Sequence, residues 1–189
     1  MARRTFVEDL ERAVAYHGHL CGGQILGTRI SRIALDYFDI EKPEGYRDLI
    51  AFVEADRCVA DAVSSITCCH IGRRRLKFHD LGKMAASFYD MGSDKAIRIA
   101  SMSAVRPADA DDPVEFYNRF SDGELFSIWE VKVNLDEYDL PGRPKKSVRC
   151  ALCGEKVMDN RDVEVEGQTL CKVCAGEDSY YSVIQQIAL

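Results

Sequence analysis

Long apolar runs are missing from this chain, and no window approaches the roughly eighteen uninterrupted apolar residues of a membrane-spanning helix. A secretory leader is not expected either, because MARRTFVEDLERAV carries charges where an apolar segment would have to lie. These absences make the cytoplasm the expected location and disfavour a membrane partner. Surplus positive charge is also lacking. The formal net charge is -6, whereas a general nucleic-acid binder needs excess Lys and Arg to neutralise phosphates. Proline is scarce at five residues, and there is no internal repeat or low-complexity segment. With 47% hydrophobic and 30% charged residues in 189, the chain has the composition of a globular protein, long enough for one buried core and a small module.

Cysteine, by contrast, is plentiful, with eight residues. In a reducing compartment their clustering points to metal rather than to disulfides. Cys150 and Cys153 form one C-x-x-C pair and Cys171 and Cys174 another, seventeen residues apart, the spacing of a structural four-cysteine zinc site. A redox dithiol or an iron–sulfur cluster is the competing reading, and the ribbon spacing favours zinc. Gly154 suits the tight knuckle after Cys153. VEVEGQTL alternates like a hairpin around Glu166-Gly167, and AGEDSYYSVIQQIAL reads as an apolar-faced helix, which together make a treble-clef plan. Four thiolates leave Zn2+ no open position, so this ion is structural.

LPGRPKKS, with two prolines and a glycine, reads as a linker. It divides a core domain, 1–140, from a zinc-finger domain, 141–189. The finger holds seven basic and seven acidic residues, so the core carries the whole charge deficit. The runs at Arg73 to Arg75 and Arg143 to Arg149 read as solvated faces. Within the core, helical spacing covers Phe6 to Tyr16, Ile25 to Tyr37 and Val59 to Ile66. DLIAFVEA, RRRLKFHD, MAASFYDM and AIRIASMS read as strands, and Pro113 to Val133 as one or two amphipathic helices. The expected class is α+β, a mixed helix and antiparallel-sheet core with the small finger appended.

Between the first two helices lies YHGHLCGG. His17, His19 and Cys21 occupy alternate positions, so in an extended turn all three side chains face one ion. Cys21 precedes a helix, whose dipole favours a thiolate, and is the candidate reactive sulfur. A fourth ligand comes from Cys58, also at a helix start, or from Cys69 or His70. A continuous helix between Cys58 and Cys69 would span about 16 Å, so both ends cannot serve one ion. Asp61, one turn beyond Cys58, is suited to orient a ligand or carry a proton. The plainer alternative is that the histidines satisfy backbone groups at a glycine-rich junction and the cysteines are small buried hydrophobes.

His17-Gly18-His19-Leu20-Cys21-Gly22-Gly23, then Gly27, Arg29, Cys58, Asp61, Cys69, Gly72, Asp80, Gly82 and Lys83, resembles the FmdE family, named for one of the subunits of formylmethanofuran dehydrogenase. The resemblance implies an α+β domain forming intertwined homodimers, in some members followed by a treble-clef finger. It maps His17, His19, Cys21 and Cys58 onto the family's metal or active site, and links the chain to the molybdenum or tungsten enzyme that reduces carbon dioxide onto methanofuran in methanogenesis. The chain departs from the family's pattern in two places: Gly22 replaces a frequent proline, and Cys68-Cys69-His70 replaces Gly-Cys-Thr. No pterin-cofactor domain or ferredoxin motif is evident, so that enzyme's redox chemistry is not expected here.

Three functional classes follow. The first is a metal-binding accessory protein of C1 metabolism, partner of a larger complex, with Zn2+ or Fe2+ in the core. The second is an enzyme whose core metal activates water, with Asp61 in proton transfer. The third is a metal-sensing or transcription-related regulator whose finger contacts protein or nucleic acid.

Overall fold

Thr5 starts the fold. In the computed structural model, which describes residues 3–102, 105–108, 111–177, 179–185 and 187, the Thr5 hydroxyl accepts from the Glu8 amide at 3.3 Å and the Glu8 carboxylate accepts from the Thr5 amide at 2.7 Å. This reciprocal cap opens α1 (Phe6–His17). Gly18, at φ 99°, closes it in the left-handed conformation with its amide donating to Val14 at 2.7 Å. α2 (Gly22–Tyr37) follows and buries Ile25, Leu26, Ile30, Ala34 and Leu35 at helical intervals. α3 (Cys58–Thr67) turns Val59, Ala62, Val63 and Ile66 inward. The α2–α3 contact is close enough that a Cβ on Gly27 would lie 2.6 Å from the Ala62 Cβ.

The helices pack into one hydrophobic cluster with a five-stranded sheet ordered β2-β1-β3-β4-β5. Its strands are β1 (Leu49–Val53), β2 (Leu76–Phe78), β3 (Ala85–Asp90), β4 (Lys95–Ser101) and β5 (Phe126–Glu130). β1 and β2 are parallel, joined through α3, and the other pairs are antiparallel. Leu49, Ala51, Val53, Ala86, Phe88, Ile97 and Ile99 alternate along their strands into that cluster. On the other face Glu54, 6% exposed, accepts two bonds from Arg98 at 2.6 and 2.7 Å. The Arg98 guanidinium also lies 5.5 Å from the centre of the Trp129 ring.

Residues Met1–Asn134 form one compact unit and Leu135–Leu189 another. The division falls ahead of LPGRPKKS because Glu137 and Asp139, in a short 3-10 helix (Glu137–Asp139), pair with Lys145 and Arg161 of the second unit. That unit consists of two hairpins, β6 (Ser147–Arg149) with β7 (Lys156–Met158) and β8 (Asp162–Val165) with β9 (Gln168–Cys171). Glu166 at φ 49° and Gly167 at φ 79° make the tight turn expected between β8 and β9.

Three expectations need correction. Pro113 to Val133 is helical only in α4 (Pro113–Asn118) and α5 (Asp122–Leu125), because Phe126 to Glu130 pairs with β4 and completes the sheet. The arginine run is not a solvated face throughout. Arg75 is 3% exposed and donates to the Tyr46 and Cys68 carbonyls at 2.8 and 2.6 Å. Finally, the described residues after Cys174 form no helix. Tyr180, Val183 and Ile184 are exposed, so packing does not offset the cost of helix nucleation there.

Gly27→Ala is expected to destabilise the first unit by about 1–3 kcal/mol through overpacking, with much of the loss recovered when Ala62→Gly is added; urea unfolding followed through the single tryptophan, Trp129, measures both. Glu54→Gln should cost about 2 kcal/mol near neutral pH, since it weakens a charge-assisted pair. The two bonds from Arg98 hold the Glu54 carboxyl below its ordinary value of 4.5. Its stabilisation is therefore complete above that value and lost as pH falls through the lower folded one. The stability gap between wild type and variant should accordingly narrow on acidification below 4.5.

Candidate metal centres

Helix termini assemble the core centre. His17 is the last residue of α1, and Cys21 is the N-cap of α2 with extended backbone, φ -149° and ψ 165°. Its carbonyl accepts from the Gln24 and Ile25 amides at 3.0 and 3.2 Å. The left-handed turn at Gly18 carries the chain back on itself, and one ligand atom each of His17, His19 and Cys21 falls within 4.8 Å of the others. The two imidazole rings lie 4.6 Å apart at 38°. Cys58 is the first residue of α3 and sits beside Cys21 rather than within that trio. A Cβ on Gly23 would lie 2.8 Å from the Cys58 Cβ, 3.2 Å from its Sγ and 3.7 Å from the Cys21 Sγ. Glycine is thus what lets the α2 backbone meet both thiols. Burial, and next the adjoining Cys21, push the Cys58 thiol above its ordinary pKa.

Asp61 meets the centre from α3. Its carboxylate lies 2.8 Å from His17 Nδ1, while His17 Nε2 is buried and has no hydrogen-bond partner among the described residues. An imidazole fixed at one nitrogen by a carboxylate and left bare at the other has the form of a metal ligand with its orienting partner. Gln24, fully buried, donates from Nε2 to the Cys58 carbonyl at 2.8 Å and holds the start of α3. Nothing in the sequence pattern distinguished Gln24 from the other residues of its helix.

The alternative fourth ligands lie elsewhere. Cys69 is fully buried, its thiol donating to the Leu49 carbonyl at 3.4 Å. His70 Nδ1 bonds Ser64 at 2.9 Å, and burial followed by the nearby arginines lowers its pKa. Both belong to the far end of α3, about 15 Å from Cys58 by helix rise. Cys68 caps α3 at φ 57°, a conformation that explains why glycine suits this position.

In the second unit Cys150, Cys153, Cys171 and Cys174 bring their sulfurs within 4.8 Å of one another. Gly154, at φ 75°, donates to the Cys150 carbonyl at 3.0 Å and closes the first knuckle. Gly176, at φ 90°, donates to Val173 at 3.1 Å and closes the second. The Ala151 amide reaches the Thr169 carbonyl at 2.9 Å and ties the hairpins together. Backbone amides of Cys153, then of Cys171, bring the Cys150 thiol down to about 6. Cys174, bonded to Cys171 and crowded by the other sulfurs, is pushed up to about 12. Four sulfurs this close cannot all ionise alone, and a divalent cation removes that conflict. The donor set and its geometry fit zinc.

Residues 145–180 match the family model of the prokaryotic dksA/traR C4-type zinc finger. Residues 16–125, more than half the chain, match that of FmdE, described as molybdenum formylmethanofuran dehydrogenase operon. A protein of Archaeoglobus fulgidus named as a probable S-adenosyl-L-methionine-binding protein is 30% identical over 203 residues, covering 93% of this chain and 54% of that protein. The chain therefore spans about half the length of this relative. The crystal structure of a tungsten formylmethanofuran dehydrogenase FmdE-like protein from Syntrophus aciditrophicus shares the fold, with a TM-score of 0.62 at 23% identity, covering 96% of this chain and all of that one. No helix among the described residues is long and apolar enough to cross a membrane. With its HGHLCGG junction inside the matched segment and a four-cysteine finger behind it, the chain belongs to the FmdE family and is a metal-binding protein.

Proposed function

We propose that the core centre holds a divalent ion, Zn2+ or Fe2+, through His17, His19 and Cys21, with Cys58 as fourth ligand. The observation that carries this reading is the buried, partnerless Nε2 of His17 on a ring whose Nδ1 is held by Asp61. A polar atom in that state costs about 1–3 kcal/mol unless something binds it. An ion bound there would supply Lewis acidity or a water of lowered pKa. Asp61 fixes the His17 tautomer, and Gln24 fixes the α3 start that presents Cys58. The zinc of the finger is structural on this reading, because its four thiol ligands leave no position for a substrate.

The physiological role we infer is that of an accessory protein of C1 metabolism, a cytoplasmic homodimer working with a larger complex, in keeping with the family's description. The A. fulgidus relative's name extends the reading to a small-molecule ligand such as S-adenosylmethionine near the core ion. A second reading, a metal-sensing or transcription-related regulator, draws on the finger's match and on Leu152 and Val173, which expose 65% and 43% of their surface on the two knuckles. Apolar side chains in those positions favour a protein partner over nucleic acid.

Metal analysis of the purified chain should find two ions in the wild type. Cys150→Ser should lose one and unfold the finger, and His17→Ala or Cys21→Ala should lose the other and leave the finger intact. A single ion that ignores His17 and Cys21 would sink the core centre. Asp61→Asn should weaken the core ion about 10- to 100-fold without affecting the finger, as read by competition with a chromogenic chelator.

A further inference from the structure

Beyond the thiols, the first turn of α2 forms the wall of a cavity of about 420 Å³. That volume suits a small organic molecule. Gly22 and Gly23 bound it on one side, Leu26 and Met84 give it an apolar flank, and Arg106 and Tyr117 complete it. The two glycines face different ways. A Cβ on Gly23 would meet Cys58 and Cys21, whereas one on Gly22 would meet the Tyr117 ring, 3.1 Å from its hydroxyl oxygen. One backbone turn thus separates the core centre from the cavity.

Two of the polar side chains lining this space, those of Tyr117 and Arg106, have no hydrogen-bond or ion-pair partner among the described residues. Tyr117 is only 4% exposed, and among the described residues no hydrogen bond reaches its hydroxyl. Arg29, donating to the Tyr117 and Phe120 carbonyls at 3.0 and 2.9 Å and to Asp122 at 2.7 Å, anchors the segment that presents the ring. Arg106 has no ion-pair partner among the described residues, and the phenol lies within electrostatic reach of both Arg106 and Cys21. The Gly22 and Gly23 amides head a sixteen-residue helix whose N-cap side chain, Cys21, makes no capping bond. One cation, one buried phenol and a helix start match a single negative charge. A phosphate dianion would call for a second cation, and Arg106 is the one charged side chain among the described residues of the lining.

We propose that this cavity binds an organic carboxylate. The charged end lies against Arg106, the Tyr117 hydroxyl and the α2 amides, and the apolar body lies along Leu26 and Met84. This assignment rests on the core centre being the working end of the molecule, with the ligand held beside its ion.

The test uses the full chain, with metal content measured on the same samples, and 4-fluorobenzoate as probe in fluorine NMR. Saturable binding is expected, with the neutral isostere 4-fluorobenzamide about tenfold weaker or worse. Arg106→Gln should weaken 4-fluorobenzoate about tenfold and Tyr117→Phe about fivefold, the range of a lost hydrogen bond to a charged group. Arg106 is exposed, so its replacement should leave unfolding and metal content unchanged, which keeps the test valid if Tyr117→Phe folds poorly. The proposal is overturned by equal binding of the amide, by unaltered binding to Arg106→Gln, or by no saturable binding. If only the finger's ion is present and 4-fluorobenzoate still binds through Arg106, the carboxylate site stands and the core metal centre falls. Two ions with no binding give the reverse.

Discussion

The close approach of α2 to α3 is the constraint on which the rest depends. Glycine at 27 lets the two helices pack almost backbone to backbone, and glycine at 23 extends the same contact to the helix starts. Their N-termini therefore converge, one bringing Cys21 and the other Cys58. Larger residues at either position would part the two thiols before altering any ligand. α1, packed on α3, then carries His17 to Asp61. A packing rule about small residues thus becomes a rule about which side chains come together.

Much of this was legible from spacing, because the signals were local. The two C-x-x-C pairs, the Glu166-Gly167 turn and the alternating strands each depend on residues near in sequence. HGHLCGG was legible as a helix junction for the same reason, with Gly18 turning left-handed where the helical pattern stops. What spacing could not reveal was long-range. Phe126 to Glu130 has apolar residues compatible with either a helix or a strand, and only its pairing with β4 decides. Arg75 looked solvated until the Tyr46 and Cys68 carbonyls came round to meet it. Gln24, Arg106 and Tyr117 belong to no motif, and their roles exist only once the chain is folded.

The two groups of donors answer different demands. In the finger the thiols crowd one another, and backbone amides from tight knuckles stabilise negative charge on Cys150 above all. Such a cluster is complete in itself. At the core the donors are mixed, the histidine rings are tilted rather than packed, and a cavity lies on the other side of the helix turn. That asymmetry sets a closed cluster of one donor type against a mixed one that borders open space.

The distance in sequence between Cys21 and Cys58 also carries a kinetic meaning. The finger's ligands span only Cys150 to Cys174, so an ion can gather them from a nearly unfolded chain and drive that unit's folding. At the core His17, His19 and Cys21 are equally local, but Cys58 joins them only once α2 and α3 have packed, a non-local contact with a larger loop-closure cost. The finger's ion is then an agent of folding, whereas the core donors are assembled by the fold itself and meet any ligand as a finished site.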